Sequence, residues 1–423
     1  MADELPVPES DVRMKGFAQR AAVDAARAWL DAQLLPLDDE TMPLERAAGR
    51  VLARDVHSRY DVPGFDRAMM DGYAVRASDT HGAAAYQRVT LEVIGEVLPG
   101  TEYAGEVRPG TCVRIMTGAP LPRGADAVLP AEKVDSRRPS SGSTAAADEL
   151  IAALDEVSPG KHVGSRGEDL KAGQLALEAG RILRPQDIGV LSSIGVDHVH
   201  VVRRPRVQLV ITGNELLPAG SPPSGVRIVD ANGPMLAALV ARDGGLAVSA
   251  GIVSDDPAAI QAALHAEADI VIVSGGSSVG NEDHAPLLLA REGTLAVHGI
   301  AMRPSSPTGM GTLDGRLVFL LPGNPVSCLC AYDFFAGRAI RVLGGRSADW
   351  PYQTSRMTLA RKLVSTVGRV DYARVKRSGA GVEPLAIGGA SVLSSTTRAD
   401  GFVVVPEASE GYAAGTEVDV WWY

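Results

Sequence analysis

Cysteine is scarce: the 423-residue chain has three. Cys328 and Cys330 lie too close in sequence for an ordinary disulfide, and Cys112 stands alone. Neither a disulfide framework nor a C-x-x-C zinc knuckle can be built from them, so they read as cytosolic thiols. Long apolar runs are missing as well, and none approaches the roughly 20 residues a membrane helix needs. Basic residues are outnumbered, 41 against 51 acidic, for a formal charge of −10. Such a balance repels phosphate backbones, so nucleic acid is not an expected partner. The opening MADELPVPES lacks the basic and apolar regions of a signal peptide, which gives the expectation of a cytoplasmic protein. No Ser-His-Asp arrangement, zinc spacing or activated-cysteine context occurs, so covalent catalysis is not indicated. Aromatics amount to 4%, whereas 46 glycines and 27 prolines are present. That mixture favours turns and close backbone approaches, as loops handling an extended small ligand require.

With 45% hydrophobic residues the chain is globular, and its length implies about three domains or one interrupted by inserts. Residues 12–33 are Ala-rich and amphipathic and predict a first helix. Short alternating segments such as LEVIGEV, TCVRIM and DAVLP, broken by Pro-Gly at 99–100 and 109–110, predict a β-rich domain over 56–174. Within it, 136–149 is polar and without periodicity, and is expected to be a mobile surface loop. From Arg206 the pattern becomes strand, helix, strand, helix, which implies parallel strands with crossover helices in an open α/β sheet over 206–347. The tail, 348–423, returns to alternation and predicts a small β domain. Residues 1–55 and 175–205 are left as an N-terminal linker domain, helical and extended. The expected fold class is thus multidomain α/β plus β.

Eight polar segments are candidates for chemistry. Asp71-Gly72 in FDRAMMDGYAVR puts a carboxylate where backbone can approach a ligand, or simply makes a hairpin turn. Thr117 and Gly118 in RIMTGAP offer a hydroxyl and an unhindered N–H. RGEDLKAG gathers Arg166, Glu168 and Asp169, which can position Mg²⁺ or form a solvated turn. Glu215 in TGNEL stands at a strand end. Of Asp255 and Asp256, one is explained by capping the helix near Pro257, the other is not. SGGSSVGNED (274–283) places Gly275, Gly276, Ser277 and Ser278 between a strand and a helix, where N–H groups converge on an anion, with Glu282 and Asp283 beside them. It is neither a P-loop nor G-x-G-x-x-G. MRPSSP (302–307) follows, and LPGNPVSC makes a rigid loop in which Ser327 opens a helix.

Taken in order, MDGYAVR, RIMTGAP, RGEDLKAG, TGNEL, SGGSSVG and LPGNPVS resemble the molybdopterin molybdenumtransferase family, MoeA in bacteria and the E domain of gephyrin in animals. The resemblance runs over nearly the whole chain and implies an α/β domain of molybdopterin-binding type. It implies an elongated homodimer that transfers molybdate into adenylated molybdopterin with Mg²⁺, releasing AMP and molybdenum cofactor. Carried over, Asp71, Asp169, Glu215 and Asp283 match the catalytic acidic positions, and Asp255, Asp256 and Asp283 the metal positions. Thr117, Gly118, Gly275, Gly276, Ser278, Arg303, Pro304, Ser306, Asn324, Pro325 and Ser327 match substrate-contacting loops. Arg369 and Ser394 or Ser395 fall where the family helps hold molybdate. One departure stands out: the family's Lys-Pro-Gly is Arg303-Pro304-Ser305 here, followed by Ser306, and arginine keeps the charge but not the geometry. Molybdopterin adenylyltransferase and molybdoenzyme-maturation proteins are implied partners, and a membrane is not.

Three other readings compete: the preceding adenylation of molybdopterin, a catalytically weak scaffold, and pyrophosphatase-type hydrolysis. The two flanking β domains weigh against the first, and the full acidic set weighs against the second.

Overall fold

The computed structural model describes residue 17 and residues 19–137, 149–276, 283–386 and 388–423. The chain forms two compact units, Thr41–Val199 and the remainder on either side of it. The fold is multidomain α/β plus β, as the sequence predicts.

Thr41–Val199 is built on a six-stranded sheet. Its strands run in the order Ala127–Pro130, Gly72–Val75, Thr111–Ile115, Val89–Val97, Glu149–Ala153, Val134–Arg137. Alternation sorts the side chains: Tyr73, Val75, Leu129 and Cys112 pack on one face, Ala74, Val113, Ile115 and Val128 on the other. Both ends of the loop expected at 136–149 belong to paired antiparallel strands, and 138–148 lie outside the described residues. Gly72 has no left-handed backbone; what demands glycine is the neighbouring strand, since an added Cβ would stand 2.1 Å from the Leu129 carbonyl oxygen.

The other unit centres on a six-stranded sheet ordered Leu246–Val253, Arg206–Thr212, Ile270–Ser274, Arg316–Leu321, Gly309–Leu313, Thr294–His298. The first four strands are parallel, and Gly309–Leu313 runs antiparallel to both its neighbours. The inner strands are covered on both faces and are apolar at nearly every position, whereas the edge strand Leu246–Val253 is largely exposed. Ile270, Ile272, Leu317 and Phe319 face the helices Asn232–Arg242 and Pro325–Ala331, whereas Val271, Val273, Val318 and Leu320 face Pro257–Leu264 and Ala285–Glu292. The helix expected over 12–33 is shorter: it runs Val23–Asp31, with Val23, Ala26 and Leu30 buried, and residues 19–22 before it are not helical, Ala21 bridging to Ile300.

A second sheet follows, ordered Met302–Arg303, Val370–Ser378, Gly401–Val405, Glu417–Trp422, Gln353–Thr358. Its first strand is borrowed from the MRPSSP segment, which the expected boundary at 347 places in the α/β part. Scarce aromatics are concentrated where the two sheets meet. Phe334, Trp350, Tyr352, Tyr372, Phe402, Trp421 and Tyr423 form a continuous ring cluster, and Arg27 lies 4.7 Å from the Phe334 ring centroid. Among the described residues no helix is long and apolar enough to cross a membrane.

Beneath the ring cluster lie two fully buried carboxylates, Asp243 and Asp333. Arg242 Nη2 bridges them at 2.9 Å each, and the hydroxyls of Tyr332 and Tyr352 donate to them, each at 3.0 Å. Burial pushes the Asp333 carboxyl above its ordinary value, against the pull of Arg242. Breaking a buried ion cluster strands the charges left behind. Arg242→Ala is therefore expected to cost about 3–5 kcal/mol in chemical denaturation; a loss under about 1 kcal/mol, the worth of a surface pair, would contradict the assignment.

Candidate active site

In open α/β sheets ligands gather where successive crossovers leave in opposite directions. Strand Arg206–Thr212 is followed by a crossover to Leu246–Val253 on one side, and the next crossover returns to Ile270–Ser274 on its other side. A cavity of about 730 Å³ opens at the carboxyl ends of these strands. Glu215, Asp230, Asp255 and Asp283 line it, with no lysine, arginine or histidine among its described lining residues. Thr212 Oγ1 and Asn232 Oδ1, both in residues of its wall, are buried with no hydrogen-bond partner among the described residues. Buried polar atoms are seldom left so, and these two suit a ligand that brings its own donors and acceptors.

Local structure places each group. A parallel ribbon, Leu216–Leu217 with Ile228–Val229, carries Glu215 at one end and Asp230 at the other. The two adjacent aspartates separate: Asp256 caps helix Pro257–Leu264 by accepting from Ala259 N at 2.9 Å, and Asp255 lines the cavity while accepting from Asn214 N at 2.9 Å. Asp256 thus gives one carboxylate oxygen to the cap and does not line the cavity, whereas Asp255 does. Gly275 and Gly276 line the cavity with φ of +98° and +56°. Ser277, Ser278 and Glu282 lie outside the described residues. Among the described residues no three acidic, histidine or cysteine side chains are arranged to hold a metal by themselves. The donor set still fits Mg²⁺, which uses one or two carboxylates and completes its shell with water and phosphate oxygens.

A second cavity, of about 650 Å³, adjoins the first and shares Pro307, Pro322 and Asn324 with it. Its lining is basic: Arg20, Arg303 and Arg369, with Pro304, Ser305, Ser306 and Ser327. Arg303 lies opposite Asp371 in the parallel pairing of Met302–Arg303 with Val370–Ser378. The fully buried Asp371 accepts from Arg303 Nε at 3.0 Å and from Ser365 Oγ at 2.7 Å, and pairs with Arg369 Nε at 3.3 Å. Arg303 is thus a lining cation whose fork is already engaged. Ser305 is buried at φ +92°, a region that favours glycine, and its hydroxyl donates to the Ser327 carbonyl at 2.5 Å.

Ser394 and Ser395, expected to help hold the oxyanion, line neither cavity. Ser395 is buried and spends its hydroxyl on the Val392 carbonyl at 2.6 Å, while Ser394 is exposed on the same short helix. Ser391, three residues before Ser394, lines the acidic cavity instead and donates to Asn324 Oδ1 at 2.8 Å. Asp230, Asn232, Arg20 and Ser391 were not singled out in the sequence. Asp230 precedes a helix and Asn232 opens it, where polar residues normally read as caps, and Arg20 and Ser391 lie in segments without a motif.

In Thr41–Val199, Asp71 Oδ1 accepts from both the N–H and the hydroxyl of Thr117, each at 2.7 Å. These two bonds hold the Asp71 carboxyl below the usual carboxylate range. Gly118 follows at φ +85°. In the RGED loop, Arg166 pairs with Asp61 and Glu168 with Arg67, leaving Asp169 exposed.

An open α/β sheet with an acidic crevice at its switch point and an attached β domain defines a protein with a ligand site at the carboxyl ends of its strands. Comparison with known proteins makes this specific. The family model for the MoeA N-terminal region (domain I and II) matches residues 21–195, that for a probable molybdopterin binding domain matches 208–341, and that for the MoeA C-terminal region (domain IV) matches 356–423. Molybdopterin molybdenumtransferase 2 of Mycobacterium tuberculosis is 34% identical over 90% of this chain and 94% of its own. A molybdopterin molybdenumtransferase of Staphylococcus aureus is 31% identical over 90% of both. The crystal structure of a molybdopterin biosynthesis MoeA protein from Pyrococcus horikoshii OT3 superposes with a TM-score of 0.78 at 31% identity, covering 96% of this chain and 100% of that one. The chain belongs to the MoeA family of molybdopterin molybdenumtransferases.

Adjacent substitutions separate cap from cavity. Asp256→Ala should lower stability by about 1 kcal/mol through loss of the cap and leave ligand affinity unchanged, whereas Asp255→Asn should keep the melting temperature and change ligand affinity. Calorimetry with AMP and Mg²⁺ beside thermal unfolding checks both, and the reverse pattern would contradict the geometry.

Proposed function

We infer that the chain transfers molybdate into adenylated molybdopterin, releasing AMP and molybdenum cofactor. What carries this reading is the pair of adjoining cavities of opposite charge with a shared wall at Pro307, Pro322 and Asn324. A substrate with a pyrophosphate at one end and a metal-accepting dithiolene at the other needs cation-assisted binding for the first and an anion-attracting pocket for the second. The acidic cavity suits the nucleotide end. Mg²⁺ held by Asp255 and Asp283 together with phosphate oxygens would neutralise the pyrophosphate. Gly275 and Gly276 let backbone approach the phosphates, Thr212 Oγ1 and Asn232 Oδ1 offer hydrogen bonds, and Glu215 is positioned to orient the water that cleaves the bond to AMP. Without a positive pocket beside them the carboxylates would repel molybdate; the arginine-lined cavity supplies one.

The family resemblance extends the reading to a cytoplasmic homodimer of four-part subunits, to Mg²⁺ dependence, and to roles for Asp71, Thr117, Gly118 and Asp169 toward the substrate. Incubation of the purified protein with adenylated molybdopterin, Mg²⁺ and a molybdate titration should give molybdate-dependent AMP release and reconstitute a cofactor-free molybdoenzyme. Asp283→Asn should slow AMP release by about tenfold or more. Tight ligand binding with neither AMP nor reconstitution would replace the enzyme with a binding or scaffolding protein. Activity on nucleotide diphosphates without any pterin would point to pyrophosphatase-type hydrolysis.

A further inference from the structure

The three arginines of the basic cavity are not equivalent. Arg303 gives Nε and Nη2 to one buried carboxylate, Asp371, and Arg369 lies against the same carboxylate through Nε, 3.3 Å away, while its Nη2 donates to Thr366 Oγ1 at 3.3 Å; the two arginines and Asp371 together carry a single net positive charge. Arg20 has no carboxylate within ion-pair distance among the described residues. Its hydrogen bond there runs from Nε to Ser306 Oγ at 2.7 Å. Among the described residues both Nη groups are therefore without a partner, and because Ser306 Oγ accepts from Arg20, its own O–H is left to donate there.

An exposed arginine is usually mobile, but the backbone that carries this one is fixed. Ala21 N donates to the Gly299 carbonyl at 2.9 Å, and the Ala21 carbonyl accepts from Ala301 N at 2.8 Å. Phe17 packs edge-on against His298, ring centroids 5.0 Å apart. Ser306 is held from the same side, its carbonyl accepting from Ile300 N at 2.8 Å. Arg20 and Ser306 are thus two donors anchored to one strand end at the rim of one cavity.

We propose that Arg20, with Ser306, is the specificity-determining contact for a tetrahedral divalent oxyanion in the basic cavity. The inference rests on the molybdate-transfer reading and deepens it by naming the group that receives the oxyanion. A guanidinium fork gives two parallel N–H···O bonds to such an ion, and its charge has no competing carboxylate among the described residues. The same chemistry would suit a phosphate of the pterin substrate, so free molybdate and a phosphate-bearing ligand are tested separately.

Calorimetric titration of the full-length chain with sodium molybdate alone, and separately with AMP alone, compares the wild type with Arg20→Ala, Arg20→Lys and Ser306→Ala. Arg20→Ala is expected to weaken molybdate binding by about ten- to a hundredfold, the worth of charge-assisted hydrogen bonds, and to leave AMP affinity unchanged. Arg20→Lys should recover part of the loss, and Ser306→Ala should show a smaller one. In the AMP-release assay Arg20→Ala should raise the molybdate concentration for half-maximal rate while keeping the rate at saturation. Unchanged molybdate affinity in Arg20→Ala, or a loss confined to AMP, overturns this proposal while a molybdate-dependent wild type keeps the transferase reading intact. A wild type that binds no molybdate overturns both.

Discussion

At the mouth of the α/β sheet, Gly275 stands hard against the end of the neighbouring strand. A Cβ there would meet the Thr212 carbonyl oxygen at 2.4 Å, at a φ of +98°, while the loop carrying Gly323 packs over Gly275 at ordinary contact distance. Glycine is the residue that tolerates both the backbone angle and the clash. Around this contact the crevice is fixed on three sides. Asn232 Nδ2 donates to the Gly323 carbonyl at 2.7 Å and to Ser274 Oγ at 2.9 Å, tying a helix start, a loop and a strand end into one unit. The turn at 322–324 becomes the wall that separates the two cavities, and the C-terminal segment closes onto it through Val326 N and the Ala390 carbonyl, 2.9 Å apart.

On one side of that wall lie four carboxylates, on the other three arginines. The division follows from topology. Acidic residues come from loops at the carboxyl ends of parallel strands, where a crossover sheet places them without any further device. Two of the arginines come from the place where Met302–Arg303 leaves the α/β segment and joins the C-terminal sheet, opposite Asp371. The buried Asp371 fixes Arg303 and Arg369 in geometry while cancelling part of their charge. Opposed fields side by side suit a substrate that is itself divided between a pyrophosphate and an oxyanion-accepting end.

Much of this was legible in the sequence. Apolar runs of strand length separated by amphipathic segments forecast the parallel sheet, and Ile270–Ser274, buried throughout, shows why: covered on both faces, it has no polar alternation to display. Glycine pairs and Pro-Gly-Asn located the loops that form the crevice. What stayed hidden depends on partners far away in the chain. Nothing local ties Arg303 to Asp371, 68 residues on, or marks Ser391 rather than Ser394 or Ser395 as the serine facing the cavity. Adjacent aspartates look alike in sequence, and only the helix start at Pro257 separates the cap, Asp256, from the cavity residue, Asp255. Asp230 and Arg20 were missed for the same reason, since a residue before a helix and an isolated arginine carry no motif.

The central claim is that two cavities of opposite charge receive two different parts of one reaction. It is tested most directly by the crystal structure of the protein with AMP, Mg²⁺ and molybdate, in which molybdenum is located by its anomalous scattering. The account predicts the AMP phosphate among Gly275, Asp255 and Asp283, and a separate molybdenum peak beyond the wall at 322–324, in the arginine-lined cavity. Molybdenum among the carboxylates, or AMP phosphate among the arginines, would contradict it.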